Sequence, residues 1–256
     1  MKRLPLGLQL YTLRDVMPRD FVGTLKKVAD MGYDGVEFAG YGNLTAEEMK
    51  KYLDEFGLIS AGSHVGFDAL EKDLDGVLKY NSVIGTKYIT CPYLLLNKIQ
   101  NMDEFKKLAD KFNYIGKKMA ENGFVFCYHN HAHEFEKLEG KYVLDILFEL
   151  TDPEYVKAEI DTYWVKKGGE DPVAFVKKYA GRLPIIHLKD LDEKTGKDTE
   201  ILNGTINFHE IFESADELGI EWYIVEQEDF ERPSIESAEI SCKNLAAAGV
   251  GIKNAR

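Results

Sequence analysis

The sequence of 256 residues predicts an α/β protein with one domain, residues 1–256, folded as a single closed (β/α)8 barrel, a TIM barrel. Two observations lead to this prediction. Amphipathic helical segments alternate with short apolar segments along the chain, and strict alternation of this kind requires parallel strands joined by right-handed crossovers. The glycine motifs GxGxxG and GxxxxGK[ST], which are typical of open nucleotide-binding sheets, do not occur.

A glycine follows each of six helical segments, at the position where a helix end commonly adopts the left-handed conformation that glycine tolerates best. These junctions are Gly32, Gly57, Gly85, Gly123, Gly181 and Gly219. The interval from Gly123 to Gly181 is the longest, and the segment TDPEYVKAEID within it is predicted to contain one further strand.

With the N-terminal apolar segment, the chain contains eight predicted strands, each followed by a helical pattern. The strands are residues 6–11, 35–38, 59–64, 88–91, 124–129, 156–160, 183–188 and 222–225. The last helical pattern covers residues 235–248. The longest irregular stretch, residues 190–207, follows the seventh strand and is a candidate lid.

The charge balance and the cysteines exclude several classes of protein. The chain has 32 Lys and Arg against 44 Asp and Glu, a formal net charge of −12, without a basic cluster, which disfavours nucleic acids and anionic membranes as partners. No segment approaches the ~20 apolar residues of a membrane span. Three scattered cysteines without a CxxC pair, and no signal-peptide pattern, predict a cytoplasmic protein. The oligomeric state is left open, a homo-oligomer included.

Polar side chains stand at the carboxyl ends of seven predicted strands, the end at which such barrels hold their active sites. These residues are Gln9 and Tyr11, Glu37, His64, His129 with Asn130 and His131, Asp161, His187, and Glu226. A buried barrel strand is otherwise apolar, so this pattern predicts a functional site at that end.

Four of these residues form a candidate metal site, because they come from four consecutive strands: His129, Asp161, His187 and Glu226. Imidazole and carboxylate ligands together suit Mn²⁺, Fe²⁺, Co²⁺ or Zn²⁺ better than Ca²⁺, and Mg²⁺ is a further candidate. Each residue alone also has a purely structural interpretation; Asp161, for example, stands where a helix N-cap is expected.

Five short segments resemble the xylose-isomerase-like TIM barrels of the sugar phosphate isomerase/epimerase superfamily: GYDGVEF, YHNHAHEFE, EIDTYWV, IIHLKD and YIVEQED. The resemblance covers essentially the whole chain. The superfamily also contains inosose dehydratases and repair enzymes of the endonuclease IV type. The resemblance implies one divalent metal held at the barrel mouth by Glu, Asp, His and Glu, and Asp161, His187 and Glu226 match the last three of these positions.

The fourth position departs from the family pattern. Many members carry a glutamate at the end of strand five, where this sequence has His129, and His131 and Glu134 are alternative fourth ligands. In the family's epimerases the two metal-binding glutamates also form the acid/base pair. The histidine therefore disfavours a two-glutamate epimerase, although imidazole can serve as a base at neutral pH.

The family chemistry implies that the cation binds a carbonyl oxygen and a neighbouring hydroxyl of a sugar and stabilises the enediolate that forms when the adjacent proton leaves. We assign catalytic roles to Glu226, His129 and Lys189. Predicted substrate-binding residues are Gln9, Tyr11, Glu37, His64, His131, Glu134, Trp164 and Gln227. For Lys189 the alternative is a surface lysine paired with Asp190.

The leading prediction is a metal-dependent isomerase/epimerase-type enzyme acting on a small keto-sugar or cyclitol. The alternatives are a dehydratase or lyase with the same metal site, and a non-catalytic sugar-binding barrel. A repair-type phosphodiesterase is disfavoured, because it needs about three metals with many more ligands, whereas this chain has six histidines and a strong negative charge. No cationic phosphate cradle is evident, which favours an unphosphorylated substrate.

Overall fold

The computed structural model describes residues 3–251, in which eight parallel strands form a closed barrel. The barrel strands are β1 Leu6–Gln9, β2 Gly35–Phe38, β3 Ile59–His64, β4 Tyr88–Cys91, β5 Val125–His129, β8 Val156–Asp161, β9 Ile185–Leu188 and β12 Trp222–Val225. Two antiparallel hairpins lie outside the barrel: β6 Lys137–Leu138 with β7 Lys141–Tyr142, and β10 Asp190–Asp192 with β11 Lys197–Thr199.

Helices follow the barrel strands along the chain. They are α1 Phe21–Met31, α2 Ala46–Phe56, α3 Phe67–Lys72, α4 Leu74–Ile84, α5 Met102–Glu121, α6 Val143–Leu150, α7 Thr162–Lys167, α8 Pro172–Lys178, α9 Phe208–Leu218 and α10 Ser234–Ala247. Short 3₁₀ turns occupy Leu10–Leu13, Leu96–Lys98 and Ala132–Phe135. No helix between residues 3 and 251 combines the length and the apolar character that crossing a membrane requires.

The predicted eight-stranded barrel is confirmed, and its strands pair in the order β1, β12, β9, β8, β5, β4, β3, β2. The first predicted strand was too long at its carboxyl end. β1 stops at Gln9, because the Gln9 side chain accepts a hydrogen bond of 3.0 Å from the Tyr11 backbone and starts a 3₁₀ turn there. Tyr11 therefore belongs to the loop above the barrel.

Local signals in the sequence determine the helix ends. All six junction glycines have positive φ angles. Gly57, at φ 65°, ends α2, and a capping box of Thr45 and Glu48 starts the same helix. These interactions satisfy backbone groups that a helix leaves unpaired at both ends.

A separate apolar cluster contains residues of five barrel strands: Ala61, Tyr88, Cys127, Ile185, Trp222 and Ile224. Side chains two residues apart on a strand share one face. Cys127, Ile185 and Ile224 therefore point to the same side as His129, His187 and Glu226. The polar residues of the candidate site form the next layer towards the carboxyl ends of the strands.

The prediction of an irregular stretch over residues 190–207 was wrong. The segment begins with the β10–β11 hairpin and ends in a turn built around the buried carboxylate of Asp190. This carboxylate accepts hydrogen bonds from the backbone N–H groups of Leu202, Gly204 and Ile206 at 3.0, 2.9 and 3.1 Å. Three such bonds to one carboxylate hold the turn in a defined conformation.

The packing of α5 against the chain before β8 leads to a stability prediction. A Cβ at Gly116 would lie 2.3 Å from the backbone oxygen of Tyr155. We expect Gly116→Ala to lower the free energy of unfolding by about 1–3 kcal/mol, because backbone cannot yield as a flexible side chain can. Gly66→Ala is the matched control, since Gly66 has φ −59° and open space around its Cβ position. Equal stability of both variants in urea denaturation would contradict the prediction.

Candidate metal centre and active site

The four predicted metal ligands meet at the carboxyl end of the barrel. His129 ends β5, Asp161 ends β8, His187 lies in β9, and Glu226 directly follows β12. One ligand atom from each lies within 4.8 Å of the others, and all four residues are buried. These four residues are called the tetrad below. They meet because β5, β8, β9 and β12 are neighbours in the barrel, where Asp161 pairs with His187.

Two buried atoms of the tetrad are compatible with a bound cation. Among the described residues, His129 Nδ1 and Asp161 Oδ2 have no hydrogen-bond partner. Asp161 uses its other oxygen, Oδ1, to accept a 2.8 Å bond from Trp164 N as the N-cap of α7. An unsatisfied buried polar atom is destabilising, and a divalent cation would satisfy the free oxygen of Asp161. Two imidazoles and two carboxylates suit a transition metal or zinc.

The carboxylates around His187 determine the orientation of its ring. Nε2 lies 2.7 Å from Glu37 Oε2, and Nδ1 lies 3.0 Å from Glu226 Oε2. A metal-binding histidine usually donates its other N–H group to a carboxylate, which is what Glu37 offers. Gln9 Nε2 donates to the same Glu37 oxygen at 2.8 Å and holds it in place.

Burial alone would lower the pKa of His187, but the carboxylates of Glu159 and Glu37 raise it well above its ordinary value. Without a cation the ring is therefore protonated at neutral pH. A cation that binds through one of the ring nitrogens must displace a proton from it, so binding is expected to weaken at lower pH.

Glu159 is a site residue that the sequence analysis missed. Its Oε1 lies 2.7 Å from His64 Nε2, 3.2 Å from His187 Nε2 and 3.3 Å from His129 Nδ1. Glu159 and these three histidines form a second, deeper group, which shares His129 and His187 with the tetrad. Glu159 stands two residues before Asp161, so strand alternation would have placed it on the same face as a predicted ligand.

Lys189 is buried beside the tetrad rather than lying at the surface. Its Nζ lies 4.0 Å from Glu226 Oε2, 3.6 Å from Asp198 Oδ2 and 4.7 Å above the ring of Trp164, and it hydrogen-bonds Glu228. Burial alone would lower the pKa of Lys189, but Glu226 and Asp161 raise it above its usual value. The ammonium group therefore stays charged at neutral pH.

A cavity of about 420 Å³ opens above the tetrad. The predicted residues Tyr11, His64, His129, His131 and Glu226 line it, and the ring of Tyr93 adds to its aromatic wall. The ring of His131 packs against Trp164, with the ring centroids 5.3 Å apart. This volume lies within the roughly 300–1,000 Å³ range of small-molecule sites.

Two predicted residues point away from the tetrad. The carboxylate of Glu134 accepts hydrogen bonds from Tyr128 Oη at 2.7 Å and from His131 N at 2.8 Å, so it holds the turn after β5. Gln227 Nε2 donates to Asp229 O at 2.8 Å, and its side chain lines a smaller cavity beside the β10–β11 hairpin.

Comparison with known proteins agrees with this architecture. The sequence model of the family described as xylose isomerase-like TIM barrel matches residues 25–247. A sugar phosphate isomerase/epimerase from Parabacteroides distasonis ATCC 8503 superposes with a TM-score of 0.82 at 28% identity, covering 97% of this chain and 95% of that chain. The IOLI protein with a bound zinc atom superposes with a TM-score of 0.76 over 95% of this chain and 97% of that chain, at 14% identity, which shows a shared fold alone.

Among curated proteins, the inosose dehydratase of Clostridium beijerinckii is 32% identical over 146 residues, which is 50% of this chain and 48% of that protein. The chain spans about half the length of the curated relatives it matches. The family model, by contrast, covers most of the barrel together with the tetrad. The chain thus belongs to the xylose isomerase-like TIM barrel family.

Proposed function

We propose that this protein is a divalent-metal-dependent enzyme of the sugar isomerase/epimerase type, which removes a proton from the carbon next to the carbonyl of a small keto-sugar or cyclitol. The observation that carries the proposal is the meeting of His129, Asp161, His187 and Glu226 below a cavity, with Lys189 beside them. These four side chains would hold the cation. The cation would supply a Lewis acid that polarises the carbonyl oxygen and acidifies the neighbouring C–H group.

Glu226 is suited to accept the proton. Burial alone would raise its pKa, but Lys189 and His187 hold the pKa of this carboxyl well below its usual range. Glu226 is therefore ionised at neutral pH, and it faces the cavity. Burial lowers the pKa of His129, which leaves its imidazole in the neutral form that binds a cation.

A dehydratase is the second candidate, and Lys189 is the observation that favours it. Dehydration requires a base that removes the proton and a group that stabilises the negative charge on the departing oxygen. The permanently charged ammonium of Lys189, 4.0 Å from Glu226, places such a positive charge beside the base. The relatives named inosose dehydratase support the same outcome.

Metal content and product analysis test the proposal together. We expect about one divalent ion of Mn, Co, Zn or Fe per chain, removed by a chelator, as expected for a single cation site formed by the tetrad. Metal-loaded protein is then incubated in D₂O with a panel of keto-sugars and inososes, followed by NMR and mass spectrometry. Deuterium next to the carbonyl, or an isomerised product, supports the isomerase/epimerase; loss of water supports the dehydratase.

The controls are chelated protein and Asp161→Asn, which removes one carboxylate ligand while keeping the side-chain size. Neither is expected to exchange deuterium or form product. A metal-loaded wild type that binds sugars and leaves every substrate of the panel unchanged would contradict the proposal in favour of a non-catalytic sugar-binding barrel.

A further inference from the structure

A second cavity adjoins the active-site cavity. Its volume is about 610 Å³, against about 420 Å³ for the first, and Tyr11 and Ala39 belong to the walls of both. Each volume by itself is in the roughly 300–1,000 Å³ range of small-molecule sites. If one ring of a substrate lies above the tetrad, the second cavity is available for another part of the same molecule.

The charge of the second cavity is opposite to that of the protein. Arg14 and Arg19 line it, and among the described residues no Asp or Glu does, although acids outnumber bases by 44 to 32 in the chain. The active-site cavity, in contrast, contains Glu226 and Glu228. This difference indicates that the second cavity favours a negatively charged group.

Arg14 is held in place without being neutralised. Its Nη2 donates to the backbone oxygen of Glu228 at 2.7 Å and its Nη1 to that of Tyr11 at 3.1 Å, while the guanidinium lies 4.6 Å from the centre of the Tyr11 ring. Both acceptors are neutral carbonyls. A guanidinium has five N–H donors, so three remain available. Within residues 3–251, neither Arg14 nor Arg19 forms an ion pair with a carboxylate.

Most of the remaining wall is apolar, and Asn43 adds a polar amide. Leu10 and Met17 are buried there, and Phe21 and Pro18 add further apolar surface. A cavity with an apolar wall and two guanidinium groups fits a ring that carries an acidic group, because ring faces pack on apolar surface while guanidinium binds carboxylate or phosphate oxygens in pairs.

We propose that the second cavity binds a second, acidic ring of the substrate, bearing a carboxylate or a phosphate, while the reacting ring lies above the tetrad. The role in a substrate rests on the proposed function, whereas the binding of an acidic ring at Arg14 and Arg19 does not. The shared chemistry of the ligand is an oxyanion on a sugar-sized ring.

The test is isothermal titration calorimetry of the metal-free protein with glucuronate, glucose 6-phosphate and uncharged glucose. At least one acid is expected to bind ten times more tightly than glucose and to lose that advantage in the double variant Arg14→Met/Arg19→Met. The tighter of the two acids identifies carboxylate or phosphate as the preferred group. Arg232→Met is the matched control, because Arg232 lines neither cavity and lies 3.4 Å from Glu200.

The single variant Arg19→Met keeps the test valid if loss of Arg14 disturbs the loop, because the Arg19 side chain is exposed and its removal leaves the hydrogen bonds of Arg14 intact. It is expected to weaken binding of the preferred acid at least threefold without a change in melting temperature. Undetectable binding of both acids, equal binding of glucose, or unchanged affinity in the arginine variants would overturn the proposal. Acid binding without any turnover would contradict the proposed reaction alone; turnover of a neutral keto-sugar without acid binding would contradict the second site alone.

Discussion

Glu226→Gln is expected to lower kcat/KM by about 10²–10⁴, the usual contribution of a general acid or base. The substitution keeps the size of the side chain and removes the carboxylate that both accepts the proton and completes the tetrad. Glu226 also lies within reach of Lys189 and His187, so its amide analogue loses the charge that both cations stabilise. The measurement is initial rates on the substrate that the D₂O panel identifies, together with metal content per chain.

The matched control is Glu149→Gln, since Glu149 is exposed and pairs with Lys141 far from the cavity. It is expected to retain wild-type rates, because exposed ion pairs contribute little to stability or geometry. A Glu226→Gln protein that is folded by circular dichroism and turns over at the wild-type rate would remove Glu226 from the mechanism.

Lys189→Met is expected to lower the free energy of unfolding by about 3–5 kcal/mol, the effect of removing one partner from a buried ion pair. The methionine fits the space of the lysine stem but removes the positive charge next to the carboxylates of Asp198 and Glu226, and His187 remains beside Glu226 alone. Both carboxylates are almost fully buried, so water replaces the lost charge only in part. The measurement is urea denaturation of the metal-free protein.

Lys194→Met is the control for this variant, because Lys194 is exposed on the hairpin that also carries Asp198. It is expected to stay within about 0.5 kcal/mol of the wild type, as surface substitutions do. If Lys189→Met is as stable as Lys194→Met, the ion pairs of Lys189 do not contribute to the fold, and only its role beside Glu226 remains.

The same lysine connects the hairpin to the site. Asp198 on β11 accepts backbone hydrogen bonds from Glu228 and Asp229 at 2.8 and 2.7 Å, and these two residues closely follow Glu226 in the chain. The β10–β11 hairpin therefore fixes the loop that carries Glu226, which explains why the stretch after β9 is structured. A well-held loop keeps the base in position for proton transfer.

Local sequence patterns were sufficient to predict the architecture of the barrel. Alternation of helical and apolar segments predicted the barrel, and the glycine junctions predicted the helix ends, because both depend on backbone preferences within a few residues. The position of the tetrad followed from the same argument, since parallel strands bring their carboxyl ends to one rim. The metal-binding roles of these residues remain a proposal, and a cytoplasmic location remains a prediction.

Such local patterns could not predict contacts between segments that are distant in the chain. Glu134 was a candidate ligand by its spacing, yet its carboxylate turns to Tyr128 and the backbone of His131. The pairing of Glu159 with three histidines depends on how β3, β5, β8 and β9 are staggered around the barrel. The stagger of a closed barrel is a property of all its strands together.

What the sequence by itself determined is the order of the elements, their inward faces and the end of the barrel that carries the polar residues. Only the tertiary structure decided which of those residues touch, that Lys189 is buried, and that Arg14 and Arg19 share a cavity beside the site. The physical reason is that periodicity acts along one strand or helix, whereas register, burial and cavity shape arise from packing between elements far apart in the chain.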